Sequence, residues 1–487
     1  MQLFLLIIAL LNVPDDRQTA VMTKPASPAA PVVFGMLALL LVLSGLDQTI
    51  LSTALPTIVS ELGGRDLAPW VFSAYLLAST AVIPVYGNLA DRLGPRPVLL
   101  TSVTLFAGGS LACALAGSMP ALVAARVLQG LGGGGLMTLT MLATAALYPL
   151  PERGRRMGVL GAAYGLSTLV GPQGGALLLR TLPWTWAFWL NLPGTLLALA
   201  ALWRADIGQA HPRATPFDWP GAVLLGGALS SLLLASRGGS WWLAGLALAM
   251  ATAWWKVERQ ATDPVVPLSL FARPMFRVSA LLSMLSGTLL FTAVVFVPLF
   301  LQQGLGLVPV RAALVTLPLM LGIIAGGRLS GRVLRRGLSL ARVAGFAAVG
   351  PTLGFMALGA ALHWLPSHGT ELTAWAVALA LLPAGLGLGL MFPLVSVVSQ
   401  RSAAPAQLGA ATAMPVMLRA LGGALGVAAM GELLRSHMAT AAARGLHSRL
   451  EAMLALADGT ARIAVVAAMV AVVVFAASRG LKPPGGA

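Results

Sequence analysis

Long apolar runs recur along the chain, and short charged segments punctuate them. A helix that crosses a bilayer needs about 20 apolar residues. On that measure the pattern predicts fourteen spans, at roughly 31–57, 70–90, 97–118, 120–150, 157–179, 182–203, 219–236, 238–255, 278–302, 312–331, 343–364, 372–400, 404–431 and 463–480. Backbone groups in hydrocarbon need partners within their own segment, so runs of this length read as helices and not as barrel strands. Residues 1–12 are apolar but too short to span, and Asp15, Asp16 and Arg17 follow them. The first 30 residues therefore read as a separate N-terminal segment, an interfacial stretch or a start-site extension with Met22 as the initiator, in preference to a cleaved signal, since no basic n-region precedes the apolar run.

The runs repeat. Gly45 precedes Pro56 at the same spacing at which Gly287 precedes Pro298, each glycine following Leu-Ser. Gly133-x-Gly135-Leu136-Met137 returns as Gly387-x-Gly389-Leu390-Met391, and Gly171 with Gly175 as Gly422 with Gly426. The expected fold is an all-α membrane protein of two six-helix bundles, at 31–205 and 261–487, with two inserted helices within 206–260 and a long outer loop at 433–462. Two parallel repeats form a transporter architecture, with the substrate site expected near the midplane.

Composition narrows the class. The chain is 58% hydrophobic and only 9% charged. Soluble domains carry about 25% charged residues, so a water-soluble or disordered chain is excluded. The single Cys113 excludes an intramolecular disulfide framework and a multi-thiolate metal site. The formal net charge of +16 gathers in alternate loops. Arg92, Arg96, Arg153, Arg155, Arg156, Arg332, Arg335 and Arg336 fall on one side, which places both termini in the cytoplasm. That distribution accounts for the charge without nucleic acid. Tryptophans near span ends form the expected interfacial belt.

Asp47 lies near the middle of the first span, where a carboxylate costs roughly 2.5–3.5 kcal/mol on insertion scales. Burial penalises its charged form. A carboxyl that is neutral when buried and ionised when water reaches it carries a proton, and the competing reading is an Asp held by a packing donor. Arg126, the only charge in span four, cannot shed its proton. It either sets the field at Asp47 or snorkels to the surface. Arg419 poses the same question in the second half, where Leu289 stands at the position equivalent to Asp47 and no deep acid matches.

Gly87-Asn88-Leu89-Ala90-Asp91-Arg92-Leu93-Gly94-Pro95-Arg96-Pro97 links spans two and three. Asp91 is suited to an Arg or to a helix N-terminus, either as an inner gate or as a solvated turn. In span five Gly161, Gly165, Gly171, Pro172 and Gly175 suggest a hinge, with a kink at Pro172, or close helix packing. Met137, Asn191, Phe291, Phe296, Gln302 and Arg419 are candidate cavity residues. The glycine run 130–135 lacks the Gly-Lys-Ser/Thr ending of a phosphate loop. The five histidines are scattered, no metal or catalytic motif is present, and no cofactor is expected.

Taken together these motifs resemble the major facilitator superfamily, and within it the fourteen-helix drug–proton antiporter branch. The resemblance runs over about residues 30–480. It rests on Gly87 to Pro97, on Asp47-Gln48-Thr49 with Ala54-Leu55-Pro56, and on Arg126 to Gly130. It also draws on the helix-five glycines, on Trp184, Trp186, Asn191, Pro193 and Gly194, and on Leu301-Gln302-Gln303 with Arg419 to Gly426. It implies a proton-coupled, monomeric multidrug exporter of the cell (inner or plasma) membrane, whose partners are a small-molecule substrate, protons and the bilayer. It does not imply an enzyme. The second half departs from relatives that carry further acids there. A transporter of one defined metabolite is the alternative within the class; a non-transporting sensor or an intramembrane enzyme is the alternative outside it.

Overall fold

The computed structural model describes residues 30–207, 217–238, 241–335, 339–364, 369–443 and 449–479. Among these residues it holds fourteen helices of thirteen or more residues. The first six are α1 (Ala30–Leu62), α2 (Ala68–Leu93), α3 (Pro95–Ala114), α4 (Met119–Leu147), α5 (Leu150–Thr181) and α6 (Asn191–Trp203). The next two, at the position where the repeat predicts an inserted pair, are α7 (Trp219–Gly238) and α8 (Trp241–Gln260). The last six are α9 (Pro274–Leu299), α10 (Pro309–Arg335), α11 (Leu340–Trp364), α12 (Thr370–Arg401), α13 (Leu408–Ala443) and α14 (Arg449–Ser478). Among the described residues eleven helical stretches are long and apolar enough to cross a membrane; α5, α7 and α8 are not among them. Helix α5 opens on Glu152, Arg153, Arg155 and Arg156, and the apolar part of α7 is only Trp219–Ala235.

The expected outer loop at 433–462 is corrected: α13 runs on to Ala443 and α14 begins at Arg449. The break in the apolar run reads as a loop, but the charged residues there are spaced to pair along helices. Glu432 pairs with Arg435, and Asp458 with Arg462, the i,i+3 and i,i+4 geometry of a polar helix face. The N-terminal segment 1–29 lies outside the described residues.

Contacts divide the chain into two compact units, residues 1–214 with 406–410, and residues 215–405 with 411–487. The inserted pair groups with the second. Within each unit the repeated glycines do the same job. A side-chain carbon at Gly45 on α1 would lie 2.0 Å from Ser167 Oγ of α5, and one at Gly171 on α5 would lie 1.7 Å from Thr49 Oγ1 of α1. In the second unit a carbon at Gly287 on α9 would meet the Arg419 carbonyl of α13 at 2.0 Å, and one at Gly422 the Met284 carbonyl at 2.0 Å. The first helix of each block is pressed against the fifth, at matching glycines.

The glycine run 130–135 is a packing surface for two neighbours. Carbons at Gly130 and Gly134 would strike the backbone of α2 at Tyr75 (2.6 Å) and Ser79 (2.2 Å). A carbon at Gly132 would lie 2.2 Å from the Phe106 backbone nitrogen of α3. Without side chains the helices come close enough for dense contact, the main attraction between helices in lipid. We expect Gly132→Ala to cost about 1–3 kcal/mol by forcing α3 and α4 apart. The readout is a lower unfolding temperature in detergent, with Gly161→Ala, where an added carbon meets nothing within 4 Å, as the neutral control.

Candidate functional site

Helix α1 carries Asp47 at mid-length because the flanking Leu37, Leu40, Leu41, Leu51 and Ile58 bury the rest of that helix face. The carboxylate is 2% exposed and the facing Arg126 is 0% exposed. Arg126 NH1 donates to Asp47 Oδ2 at 2.7 Å. Two amides complete the shell: Gln129 Nε2 donates to Oδ1 at 2.7 Å and Asn191 Nδ2 to the same oxygen at 2.9 Å. Ser110 Oγ of α3 then accepts from both amides, at 2.8 and 3.2 Å.

The guanidinium is fixed on its other sides. Its Nε donates to the Val71 carbonyl of α2 at 3.0 Å, and NH1 also reaches Gln129 Oε1 at 2.5 Å. The Tyr75 ring lies 4.3 Å from its central carbon and the Phe188 ring 5.9 Å, so cation–π attraction adds to the ion pair. One carboxylate therefore ties α1 to α4 and α6 directly, and through the amides and guanidinium to α3 and α2. All of these residues belong to the first unit.

Arg126 is turned to Asp47 and is 0% exposed, so it does not snorkel to the surface. Asn191, expected among cavity residues, is a hydrogen-bond donor to Asp47. Gln129 and Ser110 were not singled out in the sequence. Gln129 had a signal, since it sits three residues after Arg126 and so shares its helix face. Ser110, one small residue among many in α3, had none.

The remaining candidates are dispersed. Met137 packs against the core of the first unit. Phe296 is inside the core of the second unit, with Leu289 beside it. Phe291 is 39% exposed and covers Gly423, where an added carbon would meet its ring at 2.4 Å. Gln302 is exposed in the π-helical turn Phe300–Gly304 that follows α9. Arg419 lies over the Phe392 ring at 4.7 Å.

The loop motif is ordered by its turn. Gly94 takes φ 85°, a left-handed value that favours glycine, and Pro95 then starts α3. Arg96 Nε donates to the Leu202 carbonyl at 3.2 Å, and NH2 bonds the Trp203 carbonyl. Asp91 accepts from the backbone N–H of Gly409 at 2.5 Å and of Ala410 at 3.0 Å. Those N–H groups open α13 and have no partner within their own helix. Gly87 lends its carbonyl to the same close approach, 2.2 Å from where a carbon at Gly409 would stand. Arg92 is half-buried at the end of α2. In α5, Gly171 and Gly175 are buried and Gly161 and Gly165 half-buried, and the helix is continuous through Gly171 and Pro172. The scattered histidines gather in part: His363 Nδ1 and His437 Nε2 each lie 3.3 Å from Asp458. Among the described residues no group of three His, Cys, Asp or Glu is placed to hold a metal ion.

Comparison with known proteins adds an independent line. The Major Facilitator Superfamily model matches residues 37–427. The chain is 32% identical over 404 residues to the multidrug transporter protein MdtP of Bacillus subtilis (strain 168), covering 81% of this chain and 73% of the relative. It is 30% identical over 414 residues to multidrug resistance protein 3 of the same organism, covering 82% and 78%. Among solved structures, the human organic anion transporter MFSD10 (TETRAN) aligns with a TM-score of 0.64 at 19% identity, over 91% of this chain and 100% of that one. The proton:xylose symporter XylE aligns with a TM-score of 0.63 at 16% identity, over 91% and 95%. At such identities the structural likeness speaks for the fold.

Proposed function

The chain belongs to the major facilitator superfamily, matched over residues 37–427, and on that footing we propose that it is a proton-coupled antiporter exporting small amphipathic or drug-like compounds. The family and its transporter relatives point to transport rather than catalysis. Efflux is supported by the multidrug relatives of Bacillus subtilis. Proton coupling is carried by one observation: a carboxylate in mid-helix α1, 2% exposed, on which Arg126, Gln129 and Asn191 converge.

The mechanism follows from that shell. Ionised Asp47 holds α1, α4 and α6 together by charge-assisted hydrogen bonds, stronger than neutral ones. A proton on Asp47 removes the anion that the three donors share. The unit then favours a different helix arrangement, in which the proton leaves to the other side. Exchange by alternating access requires only that the protonated and substrate-bound forms favour opposite conformations, a coupling of free energies between two ligands. Fourteen spans and cytoplasmic termini complete the reading from the charge and hydropathy pattern, and a cell-membrane location and a monomer from the family resemblance.

The same burial supports a competing reading in which the pair is a fixed strut. Proteoliposomes carrying the protein and an imposed pH gradient separate the two. On our account, adding ethidium moves protons through the wild type. A wild type that moves ethidium but never protons, at any gradient, would leave the strut. A growth-protection screen against cationic dyes and antibiotics then decides breadth; protection against none, with one nutrient accumulated, favours the single-metabolite alternative.

The loop motif gives a further expectation. Asp91→Ala strips the first turn of α13 of its acceptor, a loss worth about 1–3 kcal/mol. If Asp91 is a gate residue, turnover falls about tenfold or more, while the protons moved per substrate stay as in the wild type. A changed proton-to-substrate ratio would place Asp91 in the coupling step instead.

A further inference from the structure

The inserted hairpin holds a second pair of acids that the Asp47 mechanism does not use. Asp218 immediately precedes α7, and its Oδ1 accepts the Gly221 N–H at 2.8 Å, capping that helix. Glu258 lies near the end of α8 and is 2% exposed. Its Oε1 accepts the Val266 N–H at 2.5 Å. The other oxygen of each acid, Asp218 Oδ2 and Glu258 Oε2, is buried and has no hydrogen-bond partner. Both converge on one point. A side-chain carbon at Gly221 would lie 2.1 Å from Asp218 Oδ2 and 2.9 Å from Glu258 Oε2. Glycine at 221 leaves open the space into which the two oxygens face.

Two buried carboxylate oxygens without donors repel each other and pay the full cost of desolvation. One proton between them removes both penalties, because a protonated carboxyl donates where a carboxylate can only accept. We propose that Asp218 and Glu258 form a second protonation site, a carboxyl–carboxylate pair that binds one proton between Asp218 Oδ2 and Glu258 Oε2 and so joins the start of α7 to the end of α8. The ligand is a hydronium-derived proton, and no other group changes its bonding.

Among the described residues neither acid forms an ion pair with a Lys, Arg or His side chain. On α8 itself, Lys256 and Arg259 are exposed, and Arg259 lies over the Trp255 ring at 5.8 Å. Trp254, one turn before Glu258, turns a buried indole N–H toward the Glu258 carboxyl without closing a hydrogen bond of normal geometry. Asp263, in the segment after α8, is a further buried acid. Glu258 stands beyond the span expected at 238–255. Burial pushes its carboxyl up to about 7, with the Asp218 charge acting the same way and the Val266 N–H and the Trp254 indole opposing. A carboxyl raised in the folded state stabilises fully below its unfolded value, and that stability is lost as pH rises through the folded value.

The test is a pH-titrated infrared difference spectrum of the full-length protein in lipid, in an Asp47→Asn background so that Asp47 contributes nothing. We expect a protonated-carboxyl C=O band that disappears on raising pH with a midpoint near 7, and that is absent when Glu258→Gln is added. Asp218→Asn keeps the cap oxygen but offers an amide donor to Glu258, so the midpoint moves down by about one pH unit or more. In the same window the unfolding temperature falls with pH in the parent and stays level with Glu258→Gln. A band that survives Glu258→Gln, or no band at all, overturns the site. A midpoint unmoved by Asp218→Asn overturns the pairing. A midpoint that shifts with sodium chloride but not with choline chloride overturns the proton as ligand in favour of an alkali cation.

Discussion

Arg126→Leu is expected to leave little folded protein, and removing the opposing charge as well should restore most of it. The substitution abandons the Asp47 carboxylate at 2% exposure and also frees the Val71 carbonyl. Breaking one side of a buried ion pair costs about 3–5 kcal/mol, mainly because the remaining charge has no compensation. That is a large part of the roughly 5–15 kcal/mol by which a domain is stable. The variant should therefore lose its sharp size-exclusion peak and unfold at a much lower temperature. Asp47→Asn with Arg126→Gln removes both charges and keeps amides that can bond to Gln129 and Asn191. A double-mutant cycle should then show strong coupling, with the double variant better folded than Arg126→Leu alone. Equal losses in all variants would mean that the contacts matter for shape and not for charge.

The second large effect belongs to Asp47→Asn alone. Asparagine occupies the same volume, and its amide oxygen accepts from Arg126, which also keeps the Val71 carbonyl, Gln129 Oε1 and the Tyr75 ring, so the guanidinium is not left without partners; but asparagine neither binds nor releases a proton. We expect gradient-driven transport of ethidium into inverted vesicles to fall to the level of protein-free vesicles. Exchange of labelled for unlabelled ethidium at equal pH should persist, because it needs conformational change and substrate binding but no proton. Loss of both activities would show that the carboxylate is needed to form the site, not to couple it. Persistence of both would place the coupling elsewhere.

How far the sequence reaches can be read from particular residues. Asp47 and Arg126 stood out because a charge inside an apolar run is costly and must have a partner. The structure makes each the partner of the other. The repeat was legible because the same glycine spacing recurs, and the close approaches at Gly45 with Gly171 and at Gly287 with Gly422 explain why glycine is required there. The segment 433–462 reads as a loop because the apolar run breaks between 431 and 463, whereas i,i+4 pairs such as Asp458 with Arg462 keep a helix going. The amide shell around Asp47 was only partly legible: Ser110 and Asn191 come from α3 and α6, and nothing in their local pattern reports that the fold brings them together. Asp218 and Glu258 lie forty residues apart at the edges of apolar runs, and no local pattern marks them as a pair. Their burial is a property of the α7–α8 hairpin and not of either segment.

The most direct measurement is a count of protons released when ethidium binds to purified protein in weakly buffered detergent. Across a series of pH values, ethidium binding should release protons from the wild type and none from Asp47→Asn, with binding still detectable in both. Equal release from the two proteins would contradict the central claim and leave the Asp47–Arg126 pair as a structural strut.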